Sequence, residues 1–124
     1  MILNDREFQL EFNLYAYGKI AEICPEKKFA NIGALIDCGT AEETENFFRI
    51  AEILNDAYVT RIEKTKPGQT APRLSAYLAE NPELKMWLPH AEYRELQNAV
   101  NDAIAEGRTV TVESEPPKSD GKNA

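Results

Sequence analysis

Residues Thr40 to Lys64 carry the pattern that most restricts the fold. Phe47, Ile50, Ala51, Leu54, Ala57, Tyr58 and Ile62 recur at helical spacing and form one apolar stripe over about five turns. The start is marked by Thr40-Ala41-Glu42-Glu43, a capping-box pattern with a hydroxyl at the cap and a carboxylate three residues on. Glu42, Glu43 and Glu45 also fall at the positive end of the helix dipole. Pro67-Gly68 supplies a turn after Lys64.

A different period opens the chain. Arg6 to Leu14 alternates polar and apolar residues, with Phe8, Leu10, Phe12 and Leu14 on one side, as in a half-buried strand. Ile2-Leu3 before Asn4-Asp5 makes this the second arm of a hairpin, the turn using two residues that tolerate tight geometry. Asn13 is placed to cap a helix in which Leu14, Tyr17, Ala21 and Cys24 recur, and Pro25 ends it. A short helix from about Glu26 to Asp37 would bury Phe29, Ile32, Leu35 and Ile36, with Gly39 as its stop.

Beyond the long helix, Pro72 to Glu80 reads as a short helix carrying Leu74, Tyr77 and Leu78, and Glu83 to Leu88 adds a further turn or two after Asn81-Pro82. Pro89 can open the last helix, with Tyr93, Leu96, Val100, Ala103 and Ile104 on one face and Gly107 as terminator. Thr109 to Glu113, TVTVE, alternates again and is expected as a strand pairing with the N-terminal hairpin. The predicted class is α+β, predominantly α-helical, with one globular domain over residues 1–113. Residues 114–124, SEPPKSDGKNA, hold too little apolar surface to offset their ordering entropy and are expected to form a disordered polar tail.

Composition bounds the function. With 21 acidic against 14 basic side chains the net charge is −7, which repels a phosphate backbone, and the only adjacent basic pair is Lys27-Lys28. Nucleic acid is therefore not an expected partner. No apolar run approaches the ~20 residues that span a bilayer. The N-terminus has neither a basic start nor a long apolar run, so a cytoplasmic setting is expected. Cys24 and Cys38 read as reduced thiols in such a setting, although the sequence leaves a disulfide open.

No pattern of reactive residues stands out. His90 is the only histidine, and no signature supplies it with a nucleophile, so a surface place in a helix's first turn is favoured. Cys24, Cys38 and His90 lack the spacing of a zinc site. The carboxylates of Glu42, Glu43 and Glu45 point apart around a helix, whereas metal ligands converge. Gly33 and Gly39 belong to no phosphate-binding motif. No catalytic, cofactor or metal residue is assigned, and the chain is expected not to be an enzyme. The candidates for partner contact are Tyr58, Tyr77, Met86 and Trp87. For Met86-Trp87 a place in the core beside the last helix is favoured, because Trp is usually well buried, with an interface anchor as the alternative.

The order of these segments resembles a known family. EFQLEFNLYAYGKIAEI leads from strand to helix, FFRIAEILNDAY carries the central stripe, and WLPHAEYRELQNAVNDAIAEG precedes TVTVE and a charged tail. Over about residues 2–113 this is similar to the tail assembly chaperones of long-tailed bacteriophages and prophages; TKPGQTAPRLS, residues 65–75, departs from the commonest form. The resemblance implies a non-enzymatic protein that coats the tape measure protein, keeps it soluble and recruits the major tail protein. It also implies a capacity to form homo-oligomers and, in many members, a longer form made by ribosomal frameshifting, for which Gly121-Lys122-Asn123 is the candidate place. The competing expectation is a small cytoplasmic adaptor or regulatory domain unrelated to phage tails.

Overall fold

A computed structural model describes residues 1–113, with side chains through Arg108. Its centre is α3 (Glu42–Thr65), which packs against α1 (Leu14–Ile23), α2 (Gly33–Ile36), α4 (Leu74–Glu80) and α6 (His90–Glu113). Between α4 and α6 lies the one-turn α5 (Leu84–Trp87). Two strands, β1 (Ile2–Leu3) and β2 (Arg6–Glu7), complete a predominantly helical α+β fold.

The hairpin forms at the expected turn. Ile2 faces Glu7 and Leu3 faces Arg6, while Asn4 and Asp5 take φ of 51° and 66°, left-handed values that these two side chains tolerate. Phe8 extends the pairing by donating to the Met1 carbonyl at 2.8 Å. The sheet stops there. From Gln9 the chain runs over α3, with Glu11 N–H donating to the Leu54 carbonyl at 3.1 Å. The alternation of Arg6–Leu14 is thus satisfied mostly against a helix: Phe8 is buried and Leu10 and Phe12 are partly buried. Leu14 breaks it, because it is already the first residue of α1 and is 87% exposed.

Asn13 caps α1 as expected, its Oδ1 accepting the Ala16 N–H at 3.1 Å. The buried face differs from the expected one. Cys24 is buried as expected, but Ala16 and Ile20 turn inward with it, while Leu14 and Tyr17 face out. LYAYGKIAEI has apolar residues on more than one side, so its period alone does not choose which side is covered.

The helix expected over residues 26–37 is broken into two 3-10 turns, Pro25–Lys27 and Phe29–Asn31, and the single turn of α2. Glu26 and Lys27 have φ of 58° and 56°, which a continuous right-handed helix does not accommodate. The expected apolar residues still pack inward: Phe29, Ile32, Leu35 and Ile36 all rest on the core.

In α3, Phe47, Ile50, Ala51, Leu54, Ala57 and Ile62 are buried as expected, Tyr58 is partly buried, and Phe48, Asn55 and Val59 join the buried set. The capping box does not close as anticipated. Ala41 holds the cap position, Thr40 Oγ1 lies 3.1 Å from Cys38 Sγ, and Glu43 reaches back to the Gly39 N–H at 2.9 Å. Asn55 is the one buried polar side chain among the described residues. It accepts from Leu74 N–H at 2.7 Å and donates to the Gln9 and Pro72 carbonyls at 3.0 and 3.3 Å. One amide therefore ties the N-terminal crossing, the 66–73 loop and the start of α4 to the central helix.

The last helix carries two corrections. Gly107 is inside α6 rather than at its end. A Cβ there would lie 2.5 Å from the Phe12 carbonyl oxygen and 2.7 Å from Phe12 Cβ, so its lack of a side chain lets the N-terminal segment cross. The strand expected at Thr109–Glu113 is instead the continuation of α6. Extending an existing helix avoids a new nucleation cost, and strands of two residues offer little edge for a third. The proposed tail at 114–124 lies outside the described residues.

Candidate protein-contact surface

Leu84 on α5 is fully buried and Leu88, one turn on, is partly buried, which turns the intervening Met86 and Trp87 outward. Met86 is 85% exposed and Trp87 56% exposed. The expectation that favoured a core position for Trp87 is overturned, since Leu84 takes the inward place. The short helix that presents the pair is held in position. Lys85 Nζ reaches Glu45 Oε1 on α3 at 3.1 Å and lies 5.5 Å from the centre of the Phe48 ring. Two large apolar side chains are thereby offered to solvent from a fixed support.

Tyr77 and Tyr58 occupy other surroundings. Tyr77 accepts a hydrogen bond from Asn4 Nδ2 at 2.9 Å, lies under the Arg6 guanidinium at 5.1 Å and meets the Phe8 ring at 5.5 Å. Its work is to hold the hairpin against α4, helped by Glu92 on α6, which accepts the Asn4 N–H at 2.8 Å. Tyr58 is covered on one face by Arg61 at 5.6 Å, while the Arg61 Nε bonds both oxygens of Glu11 at 2.7 and 2.8 Å. Of the four candidates, only Met86 and Trp87 form an adjacent exposed pair.

A second exposed apolar region has no counterpart among those candidates. Leu10, Phe12, Leu14, Tyr17, Ala103 and Gly107 line an open groove of about 900 Å³ between the N-terminal crossing and α6. The Tyr17 ring stacks on Phe29 with centroids 5.2 Å apart, and Phe12 lies 5.3 Å from Phe29. The sequence signal was the apolar character of α1 on more than one side, which leaves Leu14, Tyr15 and Tyr17 exposed once Ala16 and Ile20 are buried.

His90 is exposed at the start of α6, its ring 6.2 Å from that of Tyr93. Glu42, Glu43 and Glu45 lie along the first turn of α3, and among the described residues no group of three or more His, Cys, Asp or Glu side chains is arranged to hold a metal ion. Both cysteines are free thiols. Cys24 is buried, which pushes its pKa above the ordinary thiol value, and Cys38 is exposed. Among the described residues no helix is long and apolar enough to cross a membrane. Comparison with protein families, with curated proteins and with solved structures finds no match to this chain.

Proposed function

We propose that the chain is a non-enzymatic protein-binding module, and specifically a tail assembly chaperone that binds a tape measure protein and recruits tail tube subunits in the bacterial cytoplasm. The observation that carries the binding part of this reading is the outward presentation of Met86 and Trp87 from a helix pinned by Leu84 and by the Lys85–Glu45 pair. Aromatic side chains exposed on a fixed support are what interface hot spots are made of. The phage assignment rests on the resemblance in segment order over residues 2–113, apart from its TVTVE ending, which continues α6 instead of forming a strand. The chemistry suits a long apolar helical partner, whose stripe would be shielded by apolar side chains while the net charge of −7 keeps the complex in solution.

Co-expression with a candidate tape measure protein tests the proposal, and a gene neighbourhood without a tape measure gene contradicts it. The expected result is that the otherwise insoluble partner stays in solution and co-purifies with this chain. A partner that remains insoluble, with no association, contradicts the chaperone reading.

A further inference from the structure

We propose that the partner segment received by Met86 and Trp87 carries a lysine or arginine beside its apolar side chains, and that Glu83 pairs with that cation. The pairing rests on the reading of Met86 and Trp87 as contact residues, and not on the phage assignment.

Glu83 holds the cap position of α5 without making a side-chain capping bond, and its carbonyl accepts the Met86 N–H at 2.9 Å. Residues three and four apart on a helix are neighbours, which sets the Glu83 side chain beside both Met86 and Trp87. At ~100° per residue, with buried Leu84 pointing inward, Glu83 falls between Met86 and Trp87 around the turn and Lys85 falls on the opposite flank.

The charge at this edge is uncompensated. Glu83 is exposed, and among the described residues its carboxylate has neither a hydrogen bond nor an ion pair. The nearest cation along the chain, Lys85, is engaged by Glu45 at 3.1 Å and lies over the Phe48 ring. On the other side the chain turns at Leu88-Pro89, and the first lysine or arginine of α6 is Arg94, a full turn past His90. An apolar pair bordered by a free carboxylate, on a chain of net charge −7, complements a cationic border on its partner.

Trp87 adds a second attraction. Its ring is 56% exposed, and an ammonium or guanidinium over an indole face is held by the ring quadrupole while it bonds the neighbouring carboxylate. A purely apolar partner would bury Met86 and Trp87 but strip water from Glu83 without replacing it. An acidic partner would meet like-charge repulsion at the same place.

Trp87 is the chain's only tryptophan, so its emission reports on this surface. The test titrates the full chain with two tryptophan-free synthetic helical peptides that share one leucine stripe, bordered by lysine in one and by glutamate in the other. Glu83→Gln is compared with Glu22→Gln, an equal change of net charge at an exposed position on α1. The expected result is that the lysine peptide binds the parent chain about tenfold tighter than the glutamate peptide. Glu83→Gln should weaken the lysine peptide about fivefold at low salt and less at physiological salt, while Glu22→Gln leaves it within about twofold. Equal weakening by the two variants would reduce the preference to net charge and overturn the pairing, with the contact surface itself left standing. Equal affinity of the two peptides for the parent chain would overturn it in the same way. Emission that neither peptide moves would remove the reading of Met86 and Trp87 as contact residues, and the pairing with it.

Discussion

The side-chain oxygen of Asn55 accepts the backbone N–H of Leu74 at 2.7 Å, in a place where both residues are fully buried. The bond satisfies an amide at the start of α4, and the same side chain donates to the Gln9 and Pro72 carbonyls. Asn55→Ala removes all three interactions while water stays excluded. The expected loss is about 1–3 kcal/mol for the stranded Leu74 amide alone, more with the two carbonyls. Urea unfolding measures it as a lower midpoint at unchanged slope.

Phe12 and Gly107 make the second tight junction. Gly107→Ala should raise helix propensity by ~1 kcal/mol in the isolated helix. In the folded chain the added methyl meets the Phe12 carbonyl oxygen at 2.5 Å, a backbone atom that cannot swing aside. Overpacking of this kind costs about 1–3 kcal/mol, so the steric term wins and the variant should melt below the parent. Thermal unfolding followed by circular dichroism gives the sign.

These two junctions also mark what could be read from sequence and what could not. The stripe of α3, the hairpin turn at Asn4-Asp5, the Asn13 cap and the inward face of α6 follow from periodicity and local chemistry, and the structure has them. In the sequence Gly107 has the look of a terminator because glycine commonly ends helices, and only a tertiary crossing explains it otherwise. The TVTVE pattern has strand propensity, but propensity gives way to context when a helix already leads into it. Trp87 illustrates the limit for the contact surface. Its residue type favours burial, and its exposure follows from Leu84 and Leu88 taking the inward positions, a choice that a one-turn helix does not announce. In the sequence Tyr58 and Tyr77 are equal candidates, and only their contacts with Arg61 and with the hairpin separate them from Met86 and Trp87.

Glu52 gives the fold a dependence on pH. Burial raises its pKa above the ordinary carboxylate value; Asp56 and Glu45 push the same way, while Lys85 and Arg49 oppose. Below the ordinary carboxylate pKa the group is protonated folded or unfolded and contributes no difference. As pH rises past that value the unfolded chain ionises first, so this group's contribution to stability falls until the folded carboxyl has ionised too. Glu52→Gln should therefore melt higher than the parent near neutral pH, with the gap closing in acid. Parallel melting curves over that range check it, and a gap that widens in acid would contradict the assignment.

The central claim is that Met86 and Trp87 are the anchors of a protein-binding surface. Both are exposed, so Met86→Ser and Trp87→Ser together should leave the folded chain within ~1 kcal/mol of the parent, as surface substitutions usually do. The most direct measurement is the affinity of a purified tape measure protein, the partner proposed above, for the parent chain and for this double variant, each first shown to be folded. The predicted result is a loss of about 30-fold or more, the signature of a hot spot worth ~2 kcal/mol. Equal affinity for the two proteins would contradict the account and move the contact surface elsewhere on the molecule.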